Sequence, residues 1–424
     1  MQKILISGAS VAGPVLAYWL KRYGFEPTVV ERAPGLRKTG GHAVDLFRPA
    51  MDIVEKMGLL AQVEARKTGT DHLTLLREGV SRRVELEVGR VMQAVSDRHV
   101  EIMRDDLSEI FVGAGAGEIE YVYGDSIASL RQGEAGVDVT FERGSPRRFD
   151  LVVGCDGLHS NVRRLVFGEE RQFSHPVGAY LAVASIPNYL GLDDRTFIIA
   201  GVDRMAGVYS ARHMDDARAL FLFRSARELE YHHRDVARQK QLLREAFAGV
   251  GWEVPRLLAE SERASAFYFD TITQLRLDTW TRGRVTLAGD AGYSPGAAVG
   301  GSTSLAVVGA YVLAGELAAA GGDHERGFRA CEETLREYVL QSRTFALAAA
   351  RKLIPGSKAA LWTFAQSAWL FNKVPVSWLR ALARLSRSSV RMHDAFVLKD
   401  YAGGVVAAQG PVRGSVVNDS KAMS

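Results

Sequence analysis

Cysteine is nearly absent. Cys155 and Cys331 are the only thiols, so neither a disulfide framework nor a cysteine-based metal site is expected, and a reducing cytoplasm is the compartment that fits. An excess of charge of either sign is missing as well. The 53 basic residues stand against 49 acidic ones, a net +4, which argues for no nucleic-acid partner and at most a mild attraction for anionic ligands. No charged n-region, apolar h-region and cleavage site precede the strand-like Ile4-Leu5-Ile6, and no apolar run reaches bilayer-spanning length. Neither a signal peptide nor a membrane span is therefore expected. Internal repeats and low-complexity blocks are lacking too. What remains is ordinary globular composition, 47% hydrophobic and 24% charged over 424 residues, with enough apolar mass for two cores and an appended piece.

The chain opens as a βαβ unit: a strand from Ile4 to Ser7, a glycine turn from Gly8 to Gly13, a helix through Tyr23 and a second strand from Pro27 to Glu31. Helical patterning follows after Asp45 through Met57 and again from Arg104 to Phe111, and Leu73 to Val88 alternates like a hairpin between them. A second hairpin-like stretch, Val137 to Glu142 and then Phe149 to Gly154, leads back into the first sheet. From about Arg171 to Thr273 the texture changes to strands at Ala179 to Ile186, Phe197 to Ser210 and Ala219 to Phe223, with a helix near Val236 to Val250. Gly283 to Leu287 is again a strand and Thr303 to Leu317 a strongly apolar helix, so the first domain is interrupted and then completed. Past Tyr338 the helices Ala346 to Ile354, Lys358 to Phe371 and Ser377 to Ser389 are broken by Pro355 and Pro375. A polar, glycine-rich tail follows Tyr401.

The expected architecture is α/β. A Rossmann-like dinucleotide-binding domain occupies 1–170 and 277–340 and is interleaved with a mixed α+β substrate domain over 171–276, which the hairpin at 72–90 joins. C-terminal helices fill 341–402, and 403–424 form the tail.

The first chemical signal is Gly8-x-Ser10-x-x-Gly13, with Glu31 eighteen residues beyond the last glycine, at the end of the second strand. A pyrophosphate needs close backbone approach at a helix N-terminus, here Ser10, Val11 and Ala12, and an adenosine ribose needs an acidic acceptor one strand away. Arg32, beside Glu31, is part of the same candidate set. Read instead as a nucleophile elbow, Gly8-Ala9-Ser10-Val11-Ala12 would present Ser10 as in an α/β hydrolase. The strand is the first in the chain, which leaves no upstream oxyanion loop, and Ala12 stands where an elbow wants glycine.

Two further runs carry a resemblance. Asp150-Leu151-Val152-Val153-Gly154-Cys155-Asp156-Gly157, continuing to Arg164, resembles the Asp-Gly fingerprint of flavoprotein monooxygenases related to p-hydroxybenzoate hydroxylase, and Gly283 to Tyr293, with Gly289 and Asp290, resembles their Gly-Asp fingerprint. With the glycine turn, these cover the first 340 residues in family order. The resemblance implies non-covalent FAD, with Asp156 near the pyrophosphate and the arriving nicotinamide, and Asp290 at the ribityl chain. It puts the loop Pro295 to Ser302, including Gly300 and Gly301, beside the isoalloxazine ring, ahead of a helix opening at Thr303. Arg104 resembles a family arginine that also grips FAD. The family usually places another arginine two residues after Asp45, whereas here Leu46-Phe47 intervene and the arginine is Arg48; Ala297 and Ser302 also stand where proline and glycine are common.

The runs Ile186 to Leu192 and Phe267 to Asp270 look most like the tetracycline-inactivating hydroxylases and polyketide tailoring enzymes, whose C-terminal helix on the substrate side Lys358 to Phe371 would supply. The function so implied is an NADPH- or NADH-dependent FAD monooxygenase that oxygenates a bulky, hydrophobic, polycyclic or polyketide-like small molecule, acting as a monomer or homodimer. The alternative is a redox-neutral cyclase that keeps FAD as a scaffold. Orientation of substrate and exclusion of water are the protein's part in such chemistry. His42 and Tyr293 are placed near the flavin, yet their spacing defines no acid/base pair, and no catalytic residue is assigned. Trp362, Phe364, Trp369 and Phe371 either line a substrate tunnel, touch a membrane surface or form an aromatic core against the substrate domain, and Arg380, Arg384, Arg387 and Arg391 form a basic stripe at helical spacing.

Overall fold

The computed structural model describes residues 1–36, 40–296, 301–371, 373–375, 377–378 and 392–401. Strand Lys3–Ser7 is the axis of the first body. Ile4, Leu5 and Ile6 are all fully buried, because a parallel strand covered on both faces needs an unbroken apolar run rather than alternation. It pairs in parallel with Glu26–Glu31 on one side and Leu151–Gly154 on the other. Glu120–Tyr123 extends the first side, while Val285–Leu287 and the antiparallel edge Thr281–Arg282 extend the second, giving six strands. The chain thus leaves its first strand in one direction and returns in the other, which opens a crevice at the carboxyl ends.

Helix Ala12–Arg22 packs on this sheet and against helix Ser302–Ala319, in which every residue from Ser304 to Leu317 is buried. Among the described residues Ser302–Ala319 is the one helix long and apolar enough to cross a bilayer. It is the central helix of the core, 78% buried, apolar all round because neighbours surround it.

The second body is a seven-stranded sheet in the order Phe267–Leu275, Ser174–Pro187, Asp216–Arg224, Arg204–Tyr209, Arg195–Gly201, His72–Arg77 and Val80–Glu87. The hairpin His72–Glu87 therefore completes this sheet, paired in parallel to Arg195–Gly201. Alternation decides the two faces. Tyr180, Ala182, Phe221 and Phe223 lie under helices Val236–Ala246 and Val254–Arg263, whereas Leu181, Ile198, Leu220 and Leu222 point the other way, toward the crevice.

Three sequence readings are corrected. Phe197 to Ser210 is a hairpin of two strands rather than one; Asp203, at φ 59°, makes the turn without glycine, its N–H donating to the Pro355 carbonyl (2.9 Å) and its carbonyl accepting from Arg224 (2.8 Å). Phe149 to Gly154 is divided between two sheets: Arg147–Phe149 pairs with Gly136–Phe141, and Leu151–Gly154 joins the parallel sheet. The helix anticipated from Ala346 is the end of a single helix, His324–Leu353, about 45 Å long. Phe328, Leu335 and Tyr338 bury in the first core, while Ala346, Ala350 and Leu353 pack near the seven-stranded sheet, so this helix bolts the two bodies together.

Helix Lys358–Phe371 lies on the outer strands of that sheet through Leu361, Ala365 and Ala368. The small residues take the buried side, and Trp362, Trp369 and Phe371 stay exposed rather than forming an aromatic core. Arg380, Arg384, Arg387 and Arg391 lie outside the described residues. Tyr401 returns to the first core, where its hydroxyl donates to the buried Glu316 carboxylate (2.7 Å) beside Lys399 (2.9 Å). Removing that donor with Tyr401→Phe is expected to lower the free energy of unfolding by about 1.5–3 kcal/mol, the range for a hydrogen bond to a charged group, read from urea denaturation against wild type.

Candidate active site

At the first turn the backbone is packed as tightly as it can be. A Cβ on Gly8 (φ 107°) would stand 2.5 Å from the Cys155 carbonyl oxygen, and one on Gly13 would overlap the Gly8 carbonyl. Gly13 thus lies behind the cleft wall, while Gly8, Ser10, Val11 and Ala12 line it. Ser10 occupies the middle position without obstructing it, because its hydroxyl turns sideways to accept from Arg104 Nε (3.2 Å) and Nη2 (3.1 Å). Helix Ala12–Arg22 starts without a side-chain cap, and its first N–H groups are oriented toward the cleft. The Glu31 carboxylate sits on the wall beside Arg32, accepting from Ala9 N–H and Ala33 N–H, both at 2.9 Å.

Asp156 closes the second turn. It accepts from Ser160 Oγ, from the N–H groups of Asn161 (2.9 Å) and Val162 (3.0 Å), and from Ser7 Oγ (3.3 Å), so it ties the end of Leu151–Gly154 to the start of helix Asn161–Val166. Burial raises its pKa while these donors pull it down. Arg163, only 1% exposed, donates to the Ala291 carbonyl (2.9 Å) and to Glu170 (2.7 Å), joining the second fingerprint to the third.

In the third, Gly289 packs against Ala12 and Ala306 and is not on the wall, whereas Asp290 is, accepting from Ser302 Oγ at 2.8 Å. Gly301, Ser302 and Thr303 line the cleft at a second helix N-terminus that has no side-chain cap. Pro295 is away from the wall, its carbonyl held by Gln274 (3.0 Å), and Gly300 and Ala297 lie outside the described residues.

Two expected neighbours of the cofactor are elsewhere. Arg48 opens helix Arg48–Lys56 with its side chain 50% exposed beside Asp97 (3.7 Å) and Asp52, because the slip past Leu46-Phe47 carries it round the corner from the cleft. Tyr293 is buried against Trp280 beneath Gly309. His42 does reach the wall, its ring 6.0 Å from that of Tyr268; burial first, and then Arg104, lower its pKa to about 4, so the ring is neutral near pH 7.

Several participants were not among the expected site residues. Gly41 is slung between Asp105, which accepts its N–H (2.7 Å), and the buried Arg218, which donates to its carbonyl (3.0 Å). Asp45 and Glu101 face one another across the strand pair Ala43–Phe47 and His99–Met103, with Thr68 (2.5 Å) and Thr70 (2.6 Å) donating to Glu101. Glu101 was visible only as a charge alternating with Val100 and Ile102. At the mouth His159 bridges Asp270 (2.9 Å) of the seven-stranded sheet and Glu170 (3.0 Å). All these walls enclose one cleft of about 1260 Å³, polar along the turns and apolar under Leu73, Leu181, Ile198, Leu220 and Leu222.

A family described as "FAD binding domain" matches residues 1–351. Relatives include an uncharacterised protein of Mycobacterium tuberculosis, 46% identical over 329 residues (77% of this chain, 88% of the relative), and a flavin-dependent monooxygenase of Legionella longbeachae, 38% identical over 344 residues (81% and 87%). The chain belongs to the FAD-dependent monooxygenases. The tetracycline destructase Tet(55) superposes on this monooxygenase with a TM-score of 0.77 at 37% identity, covering 88% of this chain and 96% of that one. The residues present fit FAD: two uncapped helix N-termini and an acidic acceptor share one continuous cleft, and no side chain of the glycine turn fills it.

On this arrangement Glu31→Ala is expected to weaken FAD binding to the apoprotein by about 10–100-fold, which is ~1.4–2.8 kcal/mol, in a fluorescence titration, while Arg48→Ala leaves it within about twofold. A second expectation concerns pH. Burial works against a charged His159, yet its hydrogen bonds to Asp270 and Glu170 override burial and push its pKa from 6.5 to about 10. Because the folded value is the higher one, the stability this group adds is complete below about pH 6.5 and is lost as pH rises through about 10. The Tm difference between wild type and His159→Gln should shrink across that window.

Proposed function

We propose that this monooxygenase takes two electrons from NADPH or NADH and inserts one atom of O2 into a bulky, apolar, fused-ring substrate, the other atom leaving as water. The cleft's size carries the reading: about 1260 Å³ exceeds the roughly 300–1,000 Å³ typical of a site for one small ligand, and its lining runs from the glycine turns to the apolar face of the seven-stranded sheet. Bound FAD supplies the relay of electrons from nicotinamide to oxygen.

The chain's own groups bind, orient and exclude water. The N-termini of Ala12–Arg22 and Ser302–Ala319 offer unpaired N–H groups and partial positive charge to anionic parts of the cofactor. Leu181, Ile198, Leu220 and Leu222 form a wall that favours an apolar ring system and keeps the reacting region dry. His42, neutral near pH 7, is available to accept a proton from a substrate hydroxyl or to donate its N–H. Likeness to a tetracycline destructase supports a fused-ring substrate of that kind. A redox-neutral cyclisation is not favoured, since relatives such as the Legionella longbeachae protein are named monooxygenases.

The test is anaerobic mixing of the purified holoprotein with NADPH or NADH and a tetracycline, followed by admission of air. Bleaching of the flavin, its recolouring on oxygen uptake, and a product heavier by one oxygen atom are expected. Turnover with the flavin oxidised throughout would contradict the proposal.

A further inference from the structure

The C-terminal helix leaves its large apolar residues on the outside. Trp362 is 55% exposed, Leu370 53% and Trp378 69%, and Trp369 and Phe371 join them. Three of the chain's six tryptophans are thus gathered on helix Lys358–Phe371 and the turn after it. Such a cluster is not a default surface, because exposed aromatic patches mark places where something binds. The helix is anchored from beneath by Leu361, Ala365 and Ala368, so Trp362 and Trp369, each one residue further round than a buried position, form one exposed flank of it, with Leu370 outermost.

Charge says what covers that face. From 338 to 378 the chain carries five Lys or Arg and no Asp or Glu, and the acid-free run continues to residue 393, in a protein that as a whole carries 53 bases and 49 acids. Lys373 Nζ lies 4.1 Å from the Trp369 ring centroid, and the Arg82 guanidinium, from the neighbouring strand, lies 5.9 Å from it, so two cations flank Trp369. Aromatic side chains beside lysine and arginine, on a segment that itself carries no acid and with Glu87 of the neighbouring strand paired to Arg90, match the boundary between acyl chains and anionic headgroups: rings enter the boundary and cations stay with the phosphates.

We propose that the flank of helix Lys358–Phe371 that carries Trp362 and Trp369, together with Trp378 after it, docks this protein peripherally on an anionic lipid bilayer surface. The placement has a consequence for the cleft. Arg90 donates to the Val374 carbonyl at 2.9 Å, which pins the aromatic turn to helix Val88–Val95, and Val88 and Met92 of that same helix line the cleft. A docked protein therefore holds the apolar wall of its cleft next to the bilayer, where lipophilic molecules concentrate. The docking itself does not depend on which substrate is oxidised.

The experiment is cosedimentation of the FAD-loaded full chain with vesicles of phosphatidylcholine alone or mixed with phosphatidylglycerol, at low and high salt. Binding to the phosphatidylglycerol vesicles, weakened by salt and reduced about tenfold or more in Trp362→Ser/Trp378→Ser, with FAD absorbance retained as the sign of an intact fold, is the expected result. Lys358→Glu/Lys373→Glu, which leaves every aromatic in place, should lower the same binding on its own. The proposal is overturned by equal binding to neutral vesicles, by no binding to either, or by a concentration-dependent dimer in which the two tryptophan substitutions abolish self-association instead.

Discussion

The carboxyl edge of the parallel sheet sets the terms for everything else, because three chain segments must meet there with almost no side chain between them. Gly8 lies against the Cys155 carbonyl, Gly13 against Gly8, and Gly289 against Ala12 and Ala306. Only at that separation do helices Ala12–Arg22 and Ser302–Ala319 both bring their N-termini to one cleft. The fingerprints are thus first a packing requirement and second a binding one: side-chain polar groups such as Asp156 and Arg163 spend their hydrogen bonds holding the turns in place, and the backbone N–H groups face the ligand.

The second dependence is on interleaving. The apolar wall belongs to a sheet assembled from segments more than eighty residues apart, His72–Glu87 and Ser174–Leu275. It is held to the dinucleotide body by the long helix His324–Leu353, by Arg218 on the Gly41 carbonyl and by His159 between Glu170 and Asp270. Gly41 and His42 consequently stand where the two bodies meet, which is why the segment ahead of Asp45 ends on the cleft wall.

Most of the cofactor end was legible in the sequence, since a glycine turn followed by an acidic residue one strand later has few physical uses, and Glu31, Asp290 and Ser302 do lie on one cleft. Arg48 was misplaced because a family spacing was carried across a one-residue slip that the helix start at Arg48 converts into a change of direction. Tyr293 was misplaced because proximity in sequence to Asp290 says nothing about which side of a single helical turn a ring takes. The turn at Asp203 was missed because its left-handed residue is not glycine and its partners, Pro355 and Arg224, lie in no local window. Asp105, Arg218 and His159 act across distances of dozens of residues, and only the folded chain shows their partners.

The account stands on a single claim, that the turns around Gly8, Asp156 and Asp290 build one site for one FAD held without a covalent bond. The most direct measurement is the flavin content of the native protein before and after denaturation, by absorbance. One FAD per chain, released intact into the supernatant, is the result the account predicts. A colourless protein that takes up no added FAD, or flavin that stays with the denatured chain, would contradict it.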